Sequence, residues 1–194
     1  MKFLIVGRTA TGKDALAKIL EGWGWRFVKS YTTREKRYPT EDTHKFITEE
    51  DFSKFDKDDI VAYTEINGCK YFATVNQIES ADAYIIDPNG LNQLLKNMPT
   101  EKFTIIYISP KDEELHKNAA MERGDSKKDF KKRVISEDDE FTKFENDLDT
   151  YTYMYNNNIY DCIRFINDYT PDVIEYFAYT LNKIKEYSKY VFTK

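Results

Sequence analysis

The chain has 194 residues, enough for one substantial domain, and 32% of them are charged, for a formal net charge of -5. No apolar stretch approaches membrane-spanning length, and a mildly acidic total argues against nonspecific nucleic-acid binding, which relies on clustered positive charge. The cysteines, Cys69 and Cys162, lie far apart without metal-type spacing and read as reduced thiols. Met1-Lys2 runs directly into an apolar segment with no room for a signal peptide, so a cytoplasmic location is expected.

Residues 2–6 read as a central strand, because Phe3-Leu4-Ile5-Val6 is apolar without alternation. Gly7-Arg8-Thr9-Ala10-Thr11-Gly12-Lys13 follows, and an amphipathic helix leaves it from Asp14 to about Glu21, with Ala15, Leu16, Ile19 and Leu20 at helical spacing. Strand, glycine-rich loop and helix are the context in which G-x-x-x-x-G-K holds phosphates. Glycines let the backbone curl around the oxygens, helix-start amides point at them, and the Lys13 ammonium adds charge at the transferred group. Asp14 stands where a Ser or Thr hydroxyl normally reaches Mg²⁺. A carboxylate there holds the metal directly or through water, or else alters the metal geometry and impairs function. Trp23, Trp25 and Phe27 alternate with Gly24, Arg26 and Val28, which predicts a second strand with its aromatic side chains in the core.

Between Lys29 and Glu41 the chain concentrates hydroxyls and basic side chains, and Arg34 with Arg37 can converge on one anion; the alternative is a solvated charged loop. Thr48-Glu49-Glu50-Asp51 reads as a capped helix start feeding Phe52 and Phe55. Ile60 to Ile66 and Cys69 to Ala73 read as strands joined by an Asn67-Gly68 hairpin turn, with Glu65 just before the turn and Thr74 capping a following helix. Glu65 is either one more exposed carboxylate or a receiver of donors from a base edge. Ala83-Tyr84-Ile85-Ile86-Asp87 predicts a buried strand whose terminal carboxylate enters the ligand crevice, making Asp87 a candidate for the magnesium shell or a substrate contact. A helix with Leu91, Leu94 and Leu95 follows, then a parallel-type strand from Phe103 to Ile108 stopped at Ser109-Pro110.

From Asp112 to about Phe144 the sequence is nearly all charged and helical in type, interrupted at Gly124-Asp125-Ser126. The plain account is a pair of surface helices; the functional one is an arm with little core of its own that moves over a nucleotide, Arg123 and Arg133 supplying charge. Ile159 to Ile166 predicts the last strand, and Pro171 opens a closing helix from about Thr170 to Tyr187 with Val173, Ile174, Phe177, Leu181 and Ile184 inward.

The order of these parts resembles the guanylate kinase family over about residues 3–187. After the glycine-rich loop the most specific likeness is Ser30-x-Thr32-Thr33-Arg34-x-x-Arg37-x-x-Glu41, which is similar to that family's S-x-T-T-R-x-x-R-x-G-E signature. The resemblance implies that Ser30, Arg34 and Arg37 hold the acceptor monophosphate, that Glu65 recognises guanine, and that Tyr71 reaches the phosphate from the same subdomain. It further implies that Asp87 lies near metal and acceptor, that Arg123 and Arg133 are lid arginines, and that Asn167, in the N-D ending, lies near the adenine site. The departures are Asp14 for Ser or Thr, Thr40 for the glycine before Glu41, and His44 at an aromatic acceptor-contact position. Phe72 replaces a glycine, with a change of space expected beside the base, Thr74 closes that segment among the substrate-binding positions, and Asn89 replaces a second carboxylate after Asp87.

The expectation is therefore a single α/β domain over 1–194 of P-loop NTPase type. It has three α/β/α layers around a parallel central sheet, a small β-containing acceptor-binding insertion at 30–75 and a helical lid at 112–140. The resemblance implies ATP with Mg²⁺ as cofactors, GMP or dGMP as acceptor, and a monomer or homodimer. Catalysis would rest on Lys13, Arg34, Arg123 and Arg133. A broader deoxynucleoside monophosphate kinase and a nonenzymatic guanylate-kinase-like binding module are the alternatives.

Overall fold

The computed structural model describes residues 1–66, 68–99, 103–148 and 160–191. Its strands of the main sheet are β1 (Lys2–Val6), β6 (Ala83–Ile85), β7 (Phe103–Pro110) and β8 (Tyr160–Asn167), all parallel and arranged β6-β1-β7-β8 among the described residues. A second sheet, ordered β3-β2-β5-β4, contains β2 (Tyr31–Thr32), β3 (Lys45–Phe46), β4 (Ile60–Ile66) and β5 (Cys69–Thr74). Its β4 and β5 form the expected antiparallel hairpin; Asn67 lies outside the described residues, and Gly68 takes a positive φ of 76°.

Burial on both faces explains why β1 lacks an alternating pattern. Phe3 and Ile5 pack on one side with Leu16 and Leu20 of α1 (Lys13–Gly22) and with Phe177 and Leu181 of α7 (Pro171–Val191). The inward stripe expected for that closing helix, Val173, Ile174, Phe177, Leu181 and Ile184, is part of this layer. Leu4 and Val6 face the other side, meeting Leu91, Leu94 and Leu95 of α4 (Pro88–Asn97) and the far end of α6 (Lys127–Asn146). The remaining α-helices among the described residues are α2 (Glu49–Phe52), α3 (Val75–Ser80) and α5 (Glu113–Glu122). No helix among the described residues is long and apolar enough to cross a membrane.

Several expectations need correction. The strand predicted around Trp23 to Val28 reduces to one parallel bridge, Phe27 to Ala83. Gly24 at φ +83 turns the chain there, leaving Trp23 exposed and Trp25 buried against Phe3. Strand β7 runs two residues beyond Ile108 and ends at Pro110, which pairs in register with Asn167 of β8 at a position where the missing amide proton interrupts nothing. Strand β6 ends at Ile85, so Asp87 caps α4 instead of ending the strand, its Oδ1 accepting from Gly90 N at 2.9 Å. The last strand begins at Tyr160; the predicted start, Ile159, lies outside the described residues.

The charged run after Asp112 breaks where expected, at Gly124 with φ +98, and Ser126 caps α6. Yet α6 is no free surface arm throughout, because Phe141 and Phe144 near its end are buried in the main core, Phe144 edge-on to Tyr107. Truncating Phe144→Ala should lower the unfolding free energy by about 3–5 kcal/mol in a urea titration. A loss below about 1 kcal/mol would mean that this end of α6 is not packed.

Candidate functional site

The glycine-rich turn sits where β1 gives way to α1, on the carboxyl end of the parallel sheet. A Cβ on Gly7 would lie 2.6 Å from the Ile108 carbonyl oxygen and from Thr11 Oγ1, so only glycine lets the turn rest on β7. Gly12 has φ +95, and a Cβ there would also strike Asn167 Nδ2 at 2.8 Å. Ala10 adopts φ +57, a left-handed conformation costing a non-glycine residue roughly 1–2 kcal/mol. Asn167 is buried, donates from Nδ2 to the Thr11 carbonyl at 3.0 Å and accepts from Tyr169 N at 2.8 Å. Its side chain braces the turn.

Gly12 supplies α1 with no side-chain cap, whereas Asp87, Asp112 and Ser126 each accept an amide at the start of α4, α5 and α6. The first amides of α1 are thus left for an anion. Lys13 folds back, donating to the carbonyl oxygens of Gly7 at 2.5 Å and Arg8 at 2.6 Å, and burial lowers its pKa. Asp14 is exposed at the helix start.

Helices α5 and α6 close over this turn. His116 Nε2 lies 2.6 Å from the Thr9 carbonyl oxygen, so it is the donor nitrogen there, and burial lowers the ring's pKa. Arg123 donates to Thr9 Oγ1 at 3.2 Å and pairs with Asp125, which also meets Arg133 at 3.5 Å. The two expected lid arginines therefore share one carboxylate. Arg8 is held by Asp138 and by Glu145, each at 3.1 Å, and lies over the Phe141 ring. Glu137 Oε2 accepts the Thr9 backbone amide at 2.8 Å. His116, Glu137 and Glu145 were missed as site residues because they sit in a charged run whose bulk is solvated; only the one-turn spacing of Glu137 and Glu145 from Phe141 could have set those two apart, and nothing in the local pattern marks His116.

The second cluster is organised by Glu41, which is 2% exposed. Its carboxylate accepts from Arg34 Nη2 at 2.8 Å, Arg34 Nη1 at 3.3 Å, Arg37 N at 2.6 Å and Thr43 Oγ1 at 3.1 Å. Arg34 is raised in pKa by this bond, lies over the Phe46 ring and reaches Tyr71; its Nε is buried without a partner. The Arg37 side chain is exposed. Buried Ser30 lies 2.9 Å from His44 Nδ1, and the His44 ring meets Tyr71 edge-on at 5.5 Å. Burial first, then Arg34, lowers the His44 pKa, so the ring is neutral at pH 7, and the Asp14 carboxylate acts on it from the side of the glycine-rich turn. Ser30, Arg34, His44 and Tyr71 are thereby gathered in one place, close to that turn.

Phe72 does not crowd this cluster. Successive strand residues face opposite ways, so Tyr71 faces His44 while Phe72 is fully buried among Tyr31, Phe52 and Phe55 on the other face. By the same alternation Glu65, which pairs with Lys70, lies on the Phe72 face of the hairpin and not on the Tyr71 face. Glu65 is exposed on β4, opposite Lys70, and accepts from Tyr63 Oη at 3.2 Å. Thr74 is buried and caps α3 in a reciprocal box with Gln77. Beside Asp87, Glu140 of α6 accepts the Asn89 amide at 2.7 Å; burial, and then the Asp87 carboxylate, push Glu140 well above the usual carboxylate range. A second carboxylate thus reaches Asp87 from another helix although Asn89 has replaced the neighbouring one. Among the described residues no group of three or more Asp, Glu, His or Cys side chains forms a metal cage. A divalent ion would have to bring most of its ligands with it, as phosphate oxygens and water, to Asp14 or Asp87.

The Arg34 guanidinium, against burial, holds the Glu41 carboxyl down to about 2, from an ordinary value of 4.5. Its stabilising contribution is complete above pH 4.5 and is lost as the pH falls through about 2. Glu41→Gln should therefore cost on the order of 2–3 kcal/mol in unfolding free energy at neutral pH, with the gap to the parent protein narrowing in acid. Urea titrations at neutral pH and near the bottom of that window check this; an equal gap at both would refute it.

No protein-family model matches the chain, and no curated protein matches it. Among solved structures the chain is similar to the guanylate kinase from Anaplasma phagocytophilum, with a TM-score of 0.64 and 17% identity, covering 97% of this chain and 85% of that one. The fold is accordingly the mixed α/β, guanylate-kinase-like P-loop NTPase fold, with its parallel core sheet and helical decoration.

Proposed function

We propose that the protein transfers the γ-phosphoryl group of ATP to a nucleoside monophosphate, with GMP or dGMP the favoured acceptor. The observation that carries this reading is a pair of neighbouring anion seats of different construction. One is the uncapped start of α1 with Lys13; the other is the Arg34 cluster, close enough that Asp14 of the first acts on His44 of the second. One seat suits a triphosphate and the other a monophosphate, and the guanylate-kinase-like fold agrees with that division. Residues 30–75 form the acceptor-binding insertion in this reading, and 112–140 the lid.

The chemistry needs no protein nucleophile, because an acceptor phosphate oxygen attacks the γ-phosphorus in line. Arg34, fixed by Glu41, offers its remaining N–H groups to the acceptor phosphate together with Ser30 and His44, and exposed Arg37 folds onto the same group. Lys13 exchanges the carbonyls of Gly7 and Arg8 for phosphate oxygens. Arg123 and Arg133, joined through Asp125, add charge from the lid, and closure keeps water from taking the phosphoryl group. Mg²⁺, when bound with ATP, neutralises phosphate charge; Asp14 is the exposed carboxylate at the loop that would meet it directly or through water. Glu65 is the base reader in this reading: a carboxylate pairs with two adjacent guanine donors, which adenine lacks, and Tyr63 steadies one of its oxygens; because Glu65 lies on the face of the hairpin away from Tyr71, the base reaches it around the hairpin's tip.

ADP formation with ATP·Mg²⁺ and each common ribo- and deoxyribonucleoside monophosphate tests the reading. Turnover with GMP and dGMP alone is expected; acceptor-independent rates throughout would refute a kinase function, and spread over several deoxynucleotides would refute guanine selection. Arg34→Ala should lower kcat/KM by on the order of 2–5 kcal/mol in transition-state terms, with a melting curve to separate lost contact from lost folding. Glu65→Gln should chiefly erode discrimination between GMP and AMP, and an unchanged ratio would remove Glu65 from base recognition.

A further inference from the structure

Arg8 and Thr9 are unusual among the residues of the turn in being tied to α6 by carboxylates. Glu137, Asp138 and Glu145 come from one stretch of that helix, whose Phe141 and Phe144 anchor it in the core. Asp138 and Glu145 neutralise Arg8, which is an ordinary ion-pair role. Glu137 does something else. Among the described residues it pairs with no cation by direct contact; it accepts a backbone amide of the phosphate-binding turn at 2.8 Å and is near enough to act electrostatically on Lys13 and His116. A carboxylate and a phosphate are both anionic oxygen acceptors, and the same amide and ammonium cannot serve both at short range without strong repulsion.

We infer that Glu137 is an internal competitor for the triphosphate seat: its carboxylate occupies the Thr9 amide beside Lys13, and a polyphosphate binds fully only after displacing it. This deepens the reading of the turn as a triphosphate site and rests on it. Displacement has a defined route, because the half of α6 before Glu137 carries no buried side chain whereas the half after it is held by Phe141 and Phe144. Release at Glu137 can therefore bend or lift the first half while the second stays docked. The closed arrangement stores the site in a self-satisfied state, Lys13 on carbonyls and Thr9 on Glu137, and the affinity measured for a polyphosphate is reduced by the fraction of molecules so closed.

Titration calorimetry with inorganic tripolyphosphate compares the parent protein with Glu137→Gln, Glu137→Ala and Asp139→Asn, the last removing the same charge from an exposed position of the same helix. Both Glu137 variants should bind about 10-fold more tightly, and the Asp139 variant should stay within about 2-fold of the parent. In the parent protein, saturating tripolyphosphate should also raise deuterium uptake across residues 127–140 while protecting 7–14. Equal or weaker binding by the Glu137 variants, or unchanged uptake in α6 with ligand bound, would overturn the competitor role and leave the triphosphate reading standing. Absence of binding by all four proteins would overturn both.

Discussion

The seating of the glycine-rich turn on the end of β7 is the constraint from which the site follows. Gly7 closes to the Ile108 carbonyl at a distance no side chain would permit, and Asn167 at the end of β8 holds the Thr11 carbonyl. Two neighbouring strands of the sheet thus grip the turn from below, and the sheet's parallel order brings β1, β7 and β8 to the same edge. The start of α1 is aimed by that grip, and Asp14 and the Arg34 cluster acquire their mutual position from where it points. A looser turn would leave Lys13 with no fixed relation to the Arg34 cluster.

Above the turn the chain solves a charge problem. Several cations are kept close together there, which costs both repulsion and desolvation. Here each has an internal partner: Arg34 has Glu41, Arg8 has Asp138 and Glu145, and Arg123 with Arg133 share Asp125. Lys13 is satisfied by carbonyl oxygens. The acidic balance of the whole sequence is therefore compatible with a local basic site, since part of the excess carboxylate is spent inside it. Because these partners are buried to different degrees, they differ in how readily they yield to a ligand. Glu41, accepting four donors, is fixed, while the partners of the lid lie nearer to solvent.

Much of the architecture is written in local pattern. An unbroken apolar run before Gly7 reads as a two-sided strand, the Thr48 and Thr74 boxes mark helix starts, and the stripe on α7 gives its buried face directly. The failures share a cause: they lie where tertiary partners decide. Aromatic alternation at Trp23 to Phe27 imitates a strand, yet Gly24 turns the chain and the segment pairs with β6 through the single bridge at Phe27. Ser109 and Pro110 read as lying beyond β7, but they are its last two residues, because the proline's lost donor is harmless where β7 pairs with the end of β8. Within the site, the loop containing Arg34 and Glu41 was legible through its motif spacing, whereas Glu137 and His116 were not, because a charge that turns inward has the same one-letter code as a charge in water.

The single carboxylate of Asp125 has a mechanical consequence. It stands in the short connection between α5 and α6 and holds an arginine from the end of the first helix and another from within the second. Such a shared rivet turns the elbow into a bracket: rotating one helix relative to the other strains both ion pairs at once. The two guanidinium groups are thus held at a fixed spacing from one another, as a matched pair about one carboxylate.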